Sequence, residues 1–224
     1  MLRGKREQKD PNGKLFTFKH DDPVDLERLL SAEYNKNPNV PRIVAFESVH
    51  SMGGNIQKIE ELCDVAKKYG ALTFCDEVHA IGLYGETGAG IAEERNLRRK
   101  IDIISGTLGK GVGCFGGYIA SSKVLIDTIR QYAPAFIFTT AMPPQVLAPT
   151  IASIRVLKGI EGVRLREMHW EAVGKLRTEL DKHGIGYKSP EDASHVTVVE
   201  LKSAELSDQA MLEMDKKGFY VQCE

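Results

Sequence analysis

Residues 71–77 read ALTFCDE and residues 101–110 read IDIISGTLGK, and these two stretches decide the fold. In each, a short apolar run ends in polar residues, which is typical of a buried strand. Residues 42–47 (RIVAFE) and 118–120 supply further short runs of this kind. Between them, residues 59–69 place apolar side chains at helical spacing, and Gly70 closes that segment as a C-terminal cap. Strands alternating with a helix predict an α/β domain with a mostly parallel sheet.

The composition excludes several classes of protein. The chain has 224 residues, with 30 Lys and Arg against 31 Asp and Glu, so its charge gives no reason to expect binding to nucleic acid or anionic membranes. No run of about 18 apolar residues exists, and we predict no transmembrane helix. The four cysteines form no CxxC pair and no His lies at zinc-finger spacing, so we predict no metal site and a reducing compartment.

The second half of the chain has a different succession of predicted helices and strands. Its patterns predict, in order, a helix at 124–132, an extended piece at 136–140, a long helix at 146–183 bent around Gly159–Gly162, a strand at 196–201, a helix capped by Ser207, and a strand beginning at Phe219. We therefore expect a larger α/β part over residues 15–150 and part of a smaller α+β domain over residues 151–224. Residues 1–14 stay unassigned.

Polar residues follow two of the predicted strands. If these strands are neighbours, their carboxyl ends present one crevice containing Asp76, Glu77, His79, Thr107 and Lys110. A lone aspartate at a strand end is usually a loop residue, and a lone histidine is usually structural, but the Asp–Lys pair is more specific. Catalysis with pyridoxal phosphate needs a lysine amine for a Schiff base and a carboxylate for the pyridinium nitrogen. The GTLGKG loop is not a Walker A motif, which argues against nucleotide binding.

Five segments in order then carry a resemblance to a known family. They are residues 47–52 (ESVHSM), 76–85 (DEVHAIGLYG), 101–110, 116–121 (GGYIAS) and 136–140 (FIFTT). Together they resemble the α-oxoamine synthase family and, within it, the 5-aminolevulinate synthases. The resemblance runs from about Leu15 onward and implies the fold type I architecture of pyridoxal-phosphate-dependent aminotransferases. It makes residues 15–150 part of the cofactor-binding large domain.

The resemblance also implies roles for individual residues. Lys110 is expected to form the Schiff base and to transfer the proton at the α-carbon of glycine. Asp76 is expected to pair with the pyridinium nitrogen. His79 and Ser51 are expected to hydrogen-bond the ring oxygen of the cofactor and its surroundings. Thr107 is expected to bind the phosphate.

The implied enzyme is a homodimer whose sites are shared between subunits, with Thr139 and Thr140 reaching the phosphate of the neighbouring subunit. Its reaction condenses glycine with succinyl-CoA to give 5-aminolevulinate, CoA and carbon dioxide, the entry step of haem synthesis. The segment ESVHSM resembles the corresponding segment of the eukaryotic enzymes, which implies the mitochondrial matrix. A bacterial enzyme of this family would be cytoplasmic. Three alternatives stay open: glycine C-acetyltransferase, 8-amino-7-oxononanoate synthase, and a non-catalytic partner of a full-length subunit.

The sequence also departs from this family. It is much shorter, and we expect it to be a fragment truncated at both ends, with weak or no synthase activity on its own. Gly111 follows the lysine where the family usually has alanine. This small change leaves the expected role of Lys110 in place.

Overall fold

A single four-stranded sheet organises the first part of the chain in the computed structural model, which describes residues 14–188 and 193–223. The strands are β1 (Ile43–Glu47), β2 (Leu72–Asp76), β3 (Ile103–Thr107) and β4 (Gly117–Ser121), and they lie in the order β1-β2-β3-β4. The first three are parallel, whereas β4 runs antiparallel to β3. The prediction of a mostly parallel sheet is therefore confirmed.

Helices precede the first strand, lie between the strands and follow the last one. In chain order, those among the described residues are α1 (Pro23–Lys36), α2 (Ile59–Lys68), α3 (Ile91–Glu94), α4 (Lys123–Tyr132), α5 (Pro134–Ile137), α6 (Pro144–Lys158), α7 (Ile160–Lys182) and α8 (Ala204–Lys216). None of them is long and apolar enough to cross a membrane.

Local chemistry explains why α1, which the sequence patterns did not predict, and α2, which they did, are helices. At α1, the Asp22 side chain accepts a hydrogen bond from the Asp25 N–H, and Pro23 occupies the first helical turn, where its missing N–H costs nothing. At α2, the apolar residues are buried and Gly70 adopts a positive φ of 63° just after the helix. The predicted helix at 59–69 is thus confirmed.

The two faces of the sheet differ in burial. Along β1 and β2 every second residue is buried, including Val44, Phe46, Thr73 and Cys75. Helix α2, with Leu62 and its apolar neighbours, packs against β2 on this covered face. The residues between them point to the other face and are only partly buried or exposed. Along β1 and β2 the more deeply buried side chains therefore lie on one side of the sheet, and Glu47 and Asp76 at the strand ends lie on the other.

Several predictions for the second half of the chain are wrong. Residues 136–140 are not extended, because Pro134 starts the short helix α5. The long predicted helix is two helices separated at Gly159, whose backbone is extended. Ser203, not Ser207, caps α8 by accepting a hydrogen bond from Leu206 N–H.

The two strands predicted near the end of the chain are also wrong. Over residues 196–201 the structure has a single bridge, between Lys188 and Val198, and residues 219–222 form no strand. A strand is stable only when a neighbouring strand satisfies its backbone groups. No such partner runs alongside these segments within the described part of the chain.

The chain divides into two compact units. Among the described residues, the first contains 14–49 and 57–166, and the second contains 50–56, 167–188 and 193–223. The first unit contains the whole sheet. In the second, Arg177 Nη2 donates to the Ser194 carbonyl at 2.6 Å, and an isolated bridge joins Asn55 to Ala193. The domain boundary predicted at residue 150 stays a prediction.

Candidate active site

Asp76 is the last residue of β2 and lies on the less covered face of the sheet. The parallel register aligns it with Glu47 of β1 and Ser105 of β3, so these three side chains form one row at the carboxyl edge of the sheet. One carboxylate oxygen of Asp76 accepts a hydrogen bond from the Val78 N–H at 2.9 Å. This bond fixes the orientation of the carboxylate at the edge of the sheet.

Lys110 lies in the loop that joins β3 to β4, residues 108–116. Backbone hydrogen bonds shape this loop, since Leu108 N donates to Gly116 O at 2.9 Å and Gly113 N to Lys110 O at 2.8 Å. The Lys110 side chain contacts His79, with Nζ 2.8 Å from Nε2. The lysine and the histidine, 31 positions apart in sequence, therefore meet in this structure.

The surroundings of His79 favour its neutral form. Partial burial lowers its pKa below the ordinary value of 6.5, and the positive charge of Lys110 lowers it further. The carboxylates of Glu47 and Asp76 act in the opposite direction but more weakly. A neutral His79 can accept a hydrogen bond from the Lys110 ammonium, which holds the amine at this position.

Thr107 closes β3 two residues beyond Ser105 and lies on the same face of the strand. Its Oγ1 donates to Gly116 O at 3.3 Å and accepts a hydrogen bond from Gly109 N at 3.2 Å. The hydroxyl therefore lies at the base of the loop that carries Lys110. To bind an anionic group, the hydroxyl would turn its single proton away from Gly116 O and donate it to that group.

Glu77, which the sequence placed in the same crevice, lies on the covered side instead. The parallel ladder continues one residue past β1 and β2, because Ser48 N donates to Asp76 O and Glu77 N donates to Ser105 O. Glu77 is completely buried, and its carboxylate accepts hydrogen bonds from Ser48 Oγ at 2.6 Å and from two backbone N–H groups of α3. Burial raises its pKa. Its contacts are structural, and the expectation that it lines the crevice is wrong.

The structure does not test the remaining predicted site residues. Ser51 lies in the segment 50–56, which belongs to the second compact unit. Thr139 and Thr140 are exposed and follow α5. Their expected contact is with a second subunit, so their roles stay predictions.

Two residues and one close contact were not predicted from the sequence. Glu47 and Ser105 share the row of Asp76, a placement that strand alternation could have predicted once the register was known. The loop after Lys110 also touches the segment after β2. A Cβ added to Gly111 would meet Ile81 O too closely, so the alanine that the family usually has here requires the two segments to lie further apart.

Comparison with known sequences places these features in a family. The sequence profile of aminotransferase class I and II matches residues 10–223. The human erythroid-specific mitochondrial 5-aminolevulinate synthase is 51% identical over 209 residues, which cover 92% of this chain and 35% of that protein. The zebrafish (Danio rerio) counterpart is 49% identical over 223 residues, which cover 99% of this chain and 37% of that protein. The chain thus spans about a third of the length of the curated relatives it matches.

Comparison with solved structures identifies the fold. A serine palmitoyltransferase from S. paucimobilis superposes with a TM-score of 0.86 at 30% identity, covering 94% of this chain and 53% of that one. The 8-amino-7-oxononanoate synthase of Francisella tularensis has a TM-score of 0.73 at 20% identity, covering 95% of this chain and 59% of that one, and shows the fold alone. The architecture is that of fold type I, the aminotransferase-like fold.

Proposed function

The chain belongs to the class I and II aminotransferase family, and on that premise we propose that it forms the lysine-bearing part of a 5-aminolevulinate synthase active site. The proposed reaction condenses glycine with succinyl-CoA to give 5-aminolevulinate, CoA and carbon dioxide. The observation that carries the proposal is the contact between Lys110 and His79, 2.8 Å long, at the sheet edge where Asp76 ends the neighbouring strand. The mitochondrial relatives support this choice of activity within the family.

The residues at the sheet edge fit pyridoxal 5'-phosphate by their chemistry. The site offers a carboxylate held by a backbone N–H, an imidazole, a primary amine and a hydroxyl at a glycine-rich turn. Pyridoxal phosphate supplies an electron sink for negative charge at the α-carbon of an amino acid. This set of groups, on a strand end and the adjoining loop, suits that cofactor better than a nucleotide or a metal ion.

Each residue then has a definite task. Asp76 binds the protonated ring nitrogen and keeps that proton in place. His79 hydrogen-bonds the ring oxygen, and its lowered pKa keeps it uncharged beside Lys110. Thr107 holds the phosphate. Lys110 attaches the cofactor and moves the proton at the glycine α-carbon. The role of Ser51 as a hydrogen-bonding partner of the cofactor and its surroundings stays a prediction.

The complete enzyme is proposed to be a homodimer of the mitochondrial matrix. Thr139 and Thr140 are exposed hydroxyls on the segment after α5, as a contact with the phosphate of a second subunit requires. The name of the human relative includes the word mitochondrial. Mixing a Lys110→Arg chain with a Thr139→Ala/Thr140→Ala chain tests the shared site, because one mixed dimer would recover an intact half-site. No recovery of cofactor binding in the mixture would argue against sharing.

Cofactor capture tests the central claim. Purified chain is mixed with pyridoxal phosphate, reduced with borohydride and digested, and the labelled peptide is identified by mass spectrometry. We expect the label on Lys110, loss of that label in Lys110→Arg, and no loss in the control Lys123→Arg, which changes an exposed lysine of the same unit. We expect Asp76→Asn to weaken capture, whereas Asp215→Asn, at an exposed position on α8, leaves it unchanged. A folded chain without specific label on Lys110 would refute the proposal.

Acyl-donor preference separates the proposed reaction from its alternatives. The segment of the human relative that this chain matches is replaced by residues of this chain, and CoA release is measured with glycine and each donor. We expect turnover with succinyl-CoA and little with acetyl-CoA or a pimeloyl donor. Capture of the cofactor without turnover in this chimera would favour the non-catalytic alternative.

A further inference from the structure

Arg166, in helix α7, is a buried cation without an acidic partner among the described residues. Its exposed fraction is 9%. Nη1 donates to Leu157 O at 2.9 Å, and Nη2 donates to Glu86 O at 2.5 Å. Arginine is almost never so buried unless it is paired. Here the guanidinium fork instead joins the end of α6 to the loop of residues 82–90.

That loop is closely packed around glycine. Gly82 N donates to Gly88 O at 2.8 Å, which ties the start of the loop to its centre. Gly88 has a φ of 75°, and a Cβ added there would lie 3.1 Å from Arg166 Nη1 and 3.4 Å from Gly82 Cα. The guanidinium therefore lies directly against the part of the loop that holds Gly82.

Gly82 in turn touches the loop of Lys110. A Cβ added to Gly82 would lie 3.3 Å from Gly111 Cα, and the Gly111 backbone also lies against Ile81 O. On the other side of the same loop, Ser153 of α6 donates to Val112 O at 2.7 Å. The loop that carries Lys110 is thus held between the 82–90 segment and α6, and Arg166 bonds to both.

We propose that Arg166 is a positioning residue that places Lys110 by fixing residues 82–90, the loop against which Gly111 packs. Without its two carbonyl contacts the loop gains freedom, and the Lys110 amine leaves its position beside His79. The inference rests on the proposed function in that Lys110 is the residue whose placement matters. It extends the site to a side chain that does not touch the cofactor or the substrate.

Titration of His79 in the cofactor-free chain tests this inference. The charged groups that act on His79 are Lys110, Glu47 and Asp76. When the ammonium of Lys110 moves away, a source of positive charge is lost and the carboxylates remain. We therefore expect Arg166→Gln and Arg166→Lys to raise the titration midpoint of the His79 ring, followed by NMR, by about half a pH unit or more.

The matched control is Arg164→Gln, an exposed arginine two positions earlier on the same helix. It changes the same charge without touching the 82–90 loop. Arg166→Lys keeps the charge and most of the volume, so it serves if Arg166→Gln does not fold. Equal His79 midpoints in the folded Arg166 variants and the control would overturn the inference.

Hydrogen exchange of the unsubstituted chain gives a second test that needs no variant. If the 82–90 segment holds the Lys110 loop, the amides of Gly82 and Gly113 open together and show the same opening free energy and denaturant dependence. Independent opening of Gly113, with exchange at least tenfold faster than at Gly82, would overturn the inference. Both tests use the cofactor-free chain. A shifted His79 midpoint together with failed capture on Lys110 would therefore refute the proposed function while supporting the positioning role.

Discussion

Removing the buried carboxylate of Glu77 should destabilise the fold strongly. Its oxygens accept three hydrogen bonds, from Ser48 Oγ at 2.6 Å, Ile91 N at 3.1 Å and Ala92 N at 2.6 Å. A buried donor that loses its acceptor costs about 1–3 kcal/mol. Three such donors in Glu77→Ala therefore cost about 3 kcal/mol or more, a large part of the 5–15 kcal/mol typical of a domain. In Glu77→Gln the side-chain oxygen can still accept hydrogen bonds, but the NH2 group faces a donor that has then lost its acceptor. We therefore expect the free energy of unfolding to fall by about 1–3 kcal/mol.

The pH dependence of the unfolding free energy gives an independent check, because the raised pKa of Glu77 fixes the direction of the change. Burial raises the pKa of Glu77 above its ordinary 4.5, so the folded chain holds this proton more tightly than the unfolded chain. The stabilising contribution of the group is complete below the unfolded pKa and decreases as the pH rises through the folded pKa. Glu77→Gln cannot ionise and lacks this decrease. Relative to wild type, the variant should therefore gain stability as the pH rises above about 4.5.

Urea unfolding followed by far-UV circular dichroism, repeated over a series of pH values, measures both effects. Glu61→Gln is the control, since Glu61 is exposed on α2 and its substitution should change the unfolding free energy by less than about 0.5 kcal/mol. A Glu77→Ala chain within about 1 kcal/mol of wild type would refute the claim that three donors depend on this carboxylate. A difference between wild type and Glu77→Gln that does not vary with pH would refute the linkage.

Two further predictions concern the loop of residues 108–116, which carries Lys110, and the cysteine thiols. Gly111→Ala should cost about 1–3 kcal/mol in unfolding free energy and reduce capture of pyridoxal phosphate, because the new Cβ meets Ile81 O at 2.4 Å. Gly109→Ala, whose Cβ would have ordinary contacts from 3.6 Å outward, should leave both quantities almost unchanged. Cys63 and Cys75 should react with iodoacetamide only after unfolding, since both are buried and burial raises the pKa of Cys63 to about 11. Peptide mapping would contradict this if either thiol were alkylated in the folded chain as fast as the two partly exposed cysteines.

Periodicity in the sequence was enough to predict the centre of the fold. The apolar runs that became β1, β2 and β3 are short and end in polar residues, and α2 between them has a regular apolar stripe. Neighbouring parallel strands end at one edge, so the approximate placement of Asp76 and Lys110 follows from chain order. The antiparallel direction of β4 was also accessible in principle, because the short connection of residues 108–116 cannot make a parallel crossover.

The wrong predictions concern segments whose structure depends on residues elsewhere in the chain. Residues 196–201 have the composition of a strand, but strand formation depends on a neighbour that the local sequence does not specify. Ser203 and Ser207 are equally good capping residues by type, and only the path of the chain into α8 distinguishes them. Asp76 lies on the less covered face and Glu77 on the covered one because successive residues of β2 point to opposite faces, and composition does not reveal which residue points where.

The adjacency of Asp76 and Glu77 at the end of β2 also determines which genetic changes this segment can tolerate. Consecutive residues of a strand point to opposite faces, so a one-codon deletion within β2 would carry the aspartate to the covered side and the glutamate into the crevice. That single event would remove the acceptor for the α3 amides and replace the carboxylate of the crevice with a longer one. Substitutions that keep the length of β2 can accumulate one at a time. Insertions and deletions there damage folding and chemistry together, so evolution should preserve the length of this segment more strictly than its composition.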